Sequence, residues 1–128
     1  MNELEKFLDL VQKNKLLDPF YESQTWKDFF SWLSWEVNEA FVEYEKWDNI
    51  ELEKELWDVA WDFFLLLEKL QDEKKISVNN VFASINDKMS RRKSFLLEWK
   101  KVSKQEAMEI WNNAKSKEWY DNSRLWHE

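Results

Sequence analysis

A chain of 128 residues with 44% hydrophobic content is the size of one domain and has the material for a core. Its formal net charge of −7 argues against a nucleic-acid backbone or an anionic membrane surface as partner. Cys and Gly are absent and His127 is the one histidine, which excludes disulfides, thiolate or multi-His metal sites, Cys- or His-based nucleophiles and glycine-built phosphate loops. Any phosphate chemistry must therefore rest on metal ions and on Lys or Arg side chains. The N-terminus has no basic segment followed by an apolar one, and the longest apolar run, residues 63–67, is too short for a bilayer; a soluble, cytoplasmic protein is expected.

Residues 1–14 form an amphipathic helix pattern, with Leu4, Phe7, Leu8 and Val11 on one stripe. Asp18-Pro19 breaks it, because proline disfavours helix at the residue before it. Ser23 or Thr25 caps a second helix running to about residue 47. Asp48 or Asn49 caps a third, about 50–74, and Ser77 a fourth, about 78–93. Ser103 and Glu106 have capping-box spacing and open a fifth that ends near Trp119, leaving a short frayed tail from Tyr120. With no glycine, Asn14, Asn49 and Asn113 are expected at the left-handed helix ends. No strand-like alternation or internal repeat appears. The fold class expected is an all-α bundle of four to five helices, a single domain over residues 1–128.

Two of these helices carry carboxylate pairs three residues apart: Glu36 with Glu39, and Glu55 with Asp58. Such pairs share a helix face, and in an antiparallel helix pair all four can converge on one point. Clustered anions repel unless a hard cation lies between them, and oxygen donors suit Mg²⁺, Mn²⁺ or Ca²⁺. A solvated edge is the competing explanation. Glu51, Asp58, Asp62 and Lys69 all fall within about 60° of Glu55 on a helical wheel, as a wet stripe on an otherwise buried helix would. On the second helix, however, Glu36, Glu39 and Glu43 share a face with Phe29, Trp32 and Trp47, a mixture more typical of a pocket. Trp32 is placed one turn before Glu36 to stack on a flat ligand, although in so Trp-rich a chain ordinary packing is the better account of any single Trp. Lys88 and Arg92 lie four apart at the end of the fourth helix, either as dipole-favoured terminal cations or as phosphate ligands. Trp111 and Lys115 repeat that spacing on the fifth.

The order of these elements resembles the MazG family of nucleoside triphosphate pyrophosphohydrolases, of the all-α NTP pyrophosphatase superfamily, over residues 19–117. Gln24-Thr25 is similar to the family's QT, Glu36/Glu39 to its E-x-x-E and Glu55/Asp58 to its E-x-x-D. Residues 86–92, Asn-Asp-Lys-Met-Ser-Arg-Arg, resemble N-E-K-x-R-R-R, and Glu106 to Lys115 resembles E-A-x-x-x-W-x-x-x-K. Trp26 stands where the family usually has His, Trp35 where Glu is common, and Trp57 where Gly precedes the aspartate. Asp18-Pro-Phe-Tyr21 replaces C-P-W-D, and Lys93-Ser-Phe-Leu-Leu97 replaces H-P-H-V-F.

The resemblance implies a Mg²⁺-dependent enzyme (with Mn²⁺ a possible substitute) converting NTP or dNTP and water to the monophosphate and pyrophosphate. Glu36, Glu39, Glu55 and Asp58 would hold the metal and carry the catalysis, and Asp62 would be an extra ligand or a solvated acid. Lys88, Arg92 and Lys115 would bind phosphates, and Trp32 or Trp111 the base. A homodimer is implied, with a tetramer open; ten Trp and nine Phe are also hard to bury in one small bundle. A narrower dUTP, dCTP or phosphoribosyl-ATP pyrophosphohydrolase and a non-catalytic helical dimerisation module are the alternatives.

Overall fold

A computed structural model of the chain describes the backbone of residues 1–126 and the side chains of residues 1–119. The described residues contain α-helices, a 3₁₀ turn and no strand. In order the helices are α1 (Glu3–Leu17), α2 (Pro19–Ser23), α3 (Trp26–Glu45), α4 (Asn49–Asp72), α5 (Val78–Arg92) and α6 (Lys104–Trp126), with the 3₁₀ turn Ser94–Leu96 between the last two. The all-α expectation holds with one helix more than the four to five foreseen. That addition is α2. Pro19 does end α1, but it also occupies the first position of α2, where its missing N–H costs nothing, and the Asp18 side chain caps that turn by accepting from the Phe20 N–H at 2.9 Å. At the other end α6 passes the expected stop at Trp119 and continues to Trp126; His127 lies outside the described residues.

The helix starts follow local chemistry. Thr25, not Ser23, caps α3 in a full capping box: its hydroxyl accepts from the Asp28 N–H at 3.3 Å, and the Asp28 carboxylate accepts from the Thr25 N–H at 2.8 Å. Asp48 caps α4 by accepting from the Glu51 N–H at 3.1 Å, and Ser103 caps α6 by accepting from the Glu106 N–H at 3.1 Å. The helix ends correct the sequence expectation. The positive φ angles fall on Trp47 (60°), Lys74 (60°) and Trp99 (52°), not on Asn14, Asn49 or Asn113. After α3, the Trp47 N–H donates to the Tyr44 carbonyl and the Asp48 N–H to the Glu43 carbonyl; after α4, Lys74 donates to Gln71 and Lys75 to Leu70. Both are Schellman closures, whose paired bonds dictate the left-handed residue whatever its side chain.

The described chain forms two compact units, Met1–Val78 and Asn79–Glu128. In the first, α3 and α4 make the most extensive pairing and are joined by three residues, which makes them an antiparallel hairpin. Its core gathers Val11, Tyr21, Phe29, Leu65 and Leu66, with Phe7, Leu33, Trp61, Phe64 and Leu70 packed around them. Phe29, Leu33, Glu36 and Ala40 fall on one stripe of α3, so the same face that supplies the core also carries a carboxylate. A polar network ties α1 and α2 to the distal half of α4. Buried Glu68 accepts from Gln12 at 2.7 Å and from Lys15 at 3.2 Å. Lys15 also pairs with Asp72 at 2.7 Å, Asp72 accepts from the Tyr21 hydroxyl at 2.8 Å, and Lys69 donates to the Tyr21 carbonyl at 2.7 Å. In the second unit, α5 and α6 are joined through the side chains of Arg91, Arg92 and Glu118.

Candidate active site

The metal-ligand spacing seen in the sequence becomes a cluster in the first unit. Oxygen atoms of Glu36 from α3, and of Glu55 and Asp58 from α4, all lie within 4.8 Å of one another. The hairpin produces this: Glu36 is on the α3 stripe with Phe29 and Ala40, and on α4 the wheel position of Glu55 and Asp62 continues into buried Leu66. On this acid stripe of α4, Glu55 and Asp62 are half-buried and turned to the hairpin, while Asp58 stays exposed to solvent. Burial, a hydrogen bond with Glu55 and the charges of Asp58, Glu55 and Asp62 push the Glu36 carboxyl up to about 7. Asp62, half-buried one turn beyond Asp58, is pushed up to about 6 by burial and then by the Asp58 charge. The set is oxygen-only, and its crowded negative charge holds a proton on Glu36, an arrangement that fits a hard divalent cation in that proton's place.

Glu39, the fourth carboxylate of the sequence pattern, is half-buried one turn along α3 and lies outside the converging three. Trp32 is 41% exposed, its ring edge-on to Phe29 with centroids 5.5 Å apart, so packing holds one side and leaves much of the indole accessible.

The basic residues belong to the second unit. Lys88 is half-buried on α5 and Lys115 is exposed on α6. Arg92 is already engaged: Nη2 and Nε donate to Glu118 Oε2 at 2.8 and 3.2 Å. Its guanidinium lies over the Trp111 ring at 5.0 Å, with Lys93 Nζ at 5.9 Å from the same ring. Trp111 is thus occupied as a cation platform. Glu118 is the functional candidate that the sequence reading missed; the signal available was its position three residues beyond Lys115 and seven beyond Trp111, on one face of α6. Arg91 donates to Glu118 as well, and pairs with Asp87 at 3.0 Å. Beside these groups lies a cavity of about 360 Å³ lined by Arg91, Ala114, Lys117 and Glu118.

Comparison with known proteins points the same way as the residues. A family model described as the MazG nucleotide pyrophosphohydrolase domain matches residues 24–96, more than half of the chain. The crystal structure of a mazG-related protein from Thermotoga maritima is similar with a TM-score of 0.81 and 27% sequence identity, over 88% of this chain and 98% of that one. No curated protein sequence matches this one significantly.

Proposed function

The chain belongs to the MazG nucleotide pyrophosphohydrolase family, hydrolases of phosphoric anhydride bonds, and we propose that it splits nucleoside triphosphates into monophosphate and pyrophosphate with Mg²⁺. The observation that carries this reading is the convergence of Glu36, Glu55 and Asp58 within 4.8 Å across the α3–α4 hairpin. These three residues would hold the metal, with Glu39, one turn along α3, proposed as a fourth ligand. Bound there, Mg²⁺ supplies charge neutralisation for the triphosphate and makes hydroxide accessible near neutral pH.

In the reaction, the water oxygen bonds to the α-phosphorus, the bond from that phosphorus to the α–β bridging oxygen breaks, and the bridging oxygen leaves in pyrophosphate. A cluster carboxylate oxygen not used in coordination takes the water's proton. Lys88 and Arg92 bind the β- and γ-phosphates and stabilise charge on the leaving pyrophosphate, with Lys115 assisting. Trp32, exposed on one side, stacks on the base; Trp111 supports Arg92 instead.

The apolar surface of the first unit supports a homodimer. Phe30, Val37, Phe41 and Tyr44 are exposed at spacings of seven, four and three along α3, and so lie on one face. Leu56 and Phe63 repeat the seven-residue spacing on α4. Among the described residues no helix is long and apolar enough to cross a membrane.

The test is product analysis of all eight NTPs and dNTPs with Mg²⁺, alongside Glu36→Gln, Glu39→Gln and Asp58→Asn. Monophosphate and pyrophosphate from the wild type, lost in Glu36→Gln, Glu39→Gln and Asp58→Asn, are expected. The substrate ranking separates a broad pyrophosphohydrolase from a dUTP, dCTP or phosphoribosyl-ATP specialist once the last compound joins the panel. Folded wild type that releases pyrophosphate from none of them would sink the reading.

A further inference from the structure

Arg91 and Arg92 are neighbours in sequence with the same side chain, yet their surroundings differ in a way that assigns them different tasks. Arg91 is claimed by two carboxylates, donating from Nε to Asp87 Oδ2 at 3.0 Å, with Nη2 in ion-pair contact with the same oxygen at 3.0 Å, and from Nη1 to Glu118 Oε1. Arg92 meets one carboxylate only, along its Nε/Nη2 edge, while Trp111 lies against its face. Nη1 of Arg92 takes no part in these bonds. A guanidinium has five N–H donors in a rigid plane, so fixing one edge and one face aims the remaining edge. The result is a chain of contacts, Asp87–Arg91–Glu118–Arg92–Trp111, that ends on one pre-aimed cation.

We propose that Glu118 is a positioning residue for nucleotide binding, holding Arg92 by one edge so that the other is presented to a phosphate of the substrate. The inference rests on the pyrophosphohydrolase reading given above. Arg92 is the arginine that lies one turn from Lys88 on α5, so the presented edge and the lysine belong to one face. Glu118 sits on the same α6 face as Trp111 and Lys115, which brings the holder and the platform onto one element. Hydrogen bonding from Arg92 holds the Glu118 carboxyl below the usual carboxylate range, so the holder stays ionised throughout the neutral range. A side chain already confined in this way loses less freedom when phosphate arrives than a solvated arginine would.

A stability role alone would be measured in melting temperature; a positioning role must also appear in phosphate handling and must act through Arg92. The experiment is steady-state kinetics on the best-hydrolysed triphosphate, with inhibition by inorganic pyrophosphate, for wild type, Glu118→Gln, Arg92→Ala and the double variant, each checked for its melting temperature. Glu118→Gln keeps the shape but puts an NH₂ or a weak acceptor against the guanidinium. Loss of a charge-assisted hydrogen bond predicts a fall in kcat/KM of roughly 10- to 100-fold and a comparable weakening of pyrophosphate inhibition. The same substitution should add nothing once Arg92 is Ala, because interacting residues are non-additive. Glu118→Asp, which keeps the charge, should fall between Gln and wild type; if the Gln variant does not fold, Asp carries the same cycle. Unchanged kcat/KM, full additivity with Arg92→Ala, or tighter pyrophosphate inhibition in Glu118→Gln (the mark of a carboxylate that competes with phosphate) would each overturn the proposal. An active wild type with an indifferent Glu118 variant removes this inference alone, whereas a folded wild type without pyrophosphate release removes the pyrophosphohydrolase reading and this with it.

Discussion

Glu36 is where the chemistry of the site first becomes measurable without substrate. Its folded-state pKa of about 7 lies above the ordinary value of 4.5, because burial, the Glu55 hydrogen bond and the neighbouring carboxylates all disfavour the anion. The native state therefore holds a proton there that the unfolded chain has released. The stabilising contribution is complete below the unfolded value and is lost as pH rises through about 7. Asp62, raised from 3.8 to about 6, adds to the loss with the same sign. In chelator-treated protein, Glu36→Gln should gain on the wild type in melting temperature as pH goes from about 5 to about 8, the window in which the wild type must charge that carboxyl. Mg²⁺ must displace the same proton, so its stabilisation of the wild type should grow across this window and be much reduced in the variant. Thermal melts at matched pH check both, and a wild type that gained on Glu36→Gln with rising pH would contradict the crowding of charge at this point. E-x-x-E and E-x-x-D spacing named Glu36, Glu39, Glu55 and Asp58, of which Glu36, Glu55 and Asp58 converge, because spacing reports which groups share a helix face but not how far each side chain reaches. It could not reveal Glu118 opposite Arg92, or Lys15 against Glu68, since those pairs are 26 and 53 residues apart. Which element packs on which is decided by the core, not by local periodicity.

The helices divide in the same way into a legible half and an illegible one. N-termini were readable because a cap is local chemistry: Thr25, Asp48 and Ser103 each accept from the N–H three residues on. The α2 turn escaped notice because proline stops one helix and starts another with the same residue. C-termini misled because residue preference for the left-handed region amounts to about 1–2 kcal/mol, less than the packing that decides where a helix ends. A chain without glycine therefore places Trp47, Lys74 and Trp99 in that region. Lys74 is exposed, so its side chain gives little reason to keep it there. Lys74→Gly should remove the steric penalty while adding some unfolded-state entropy, for a net gain of about 0.5–1 kcal/mol. Urea denaturation reads this directly as a higher midpoint with an unchanged slope. A loss of stability would mean that the α4 C-terminus does not close through a left-handed residue 74.

For the molecule as a whole, the question is what covers its aromatic surplus. Few large side chains are buried in the first unit, while Phe30, Val37, Phe41 and Tyr44 form an exposed stripe on the side of α3 turned roughly 100° from its core face. An apolar stripe of this regularity is more than the scattered hydrophobics of an ordinary monomer surface. It also lies on the helix that carries Glu36, so association and the metal cluster share an element. A second copy of the chain is the proposed cover, and Phe41→Lys combined with Val37→Lys tests it by placing two cations in the middle of the stripe. The wild type should sediment as a dimer with a melting temperature that rises with protein concentration, as linkage to a folded partner requires. The variant should sediment as a monomer with a concentration-independent melt, because charges buried without partners are expelled from an interface. If the wild type is monomeric at tens of micromolar by order of magnitude, a range where specific dimers of ordinary affinity are assembled, the stripe is not a dimer face. If the wild type is dimeric and the variant remains so, the dimer exists but is built elsewhere, and Leu56 with Phe63 on α4 becomes the next surface to charge.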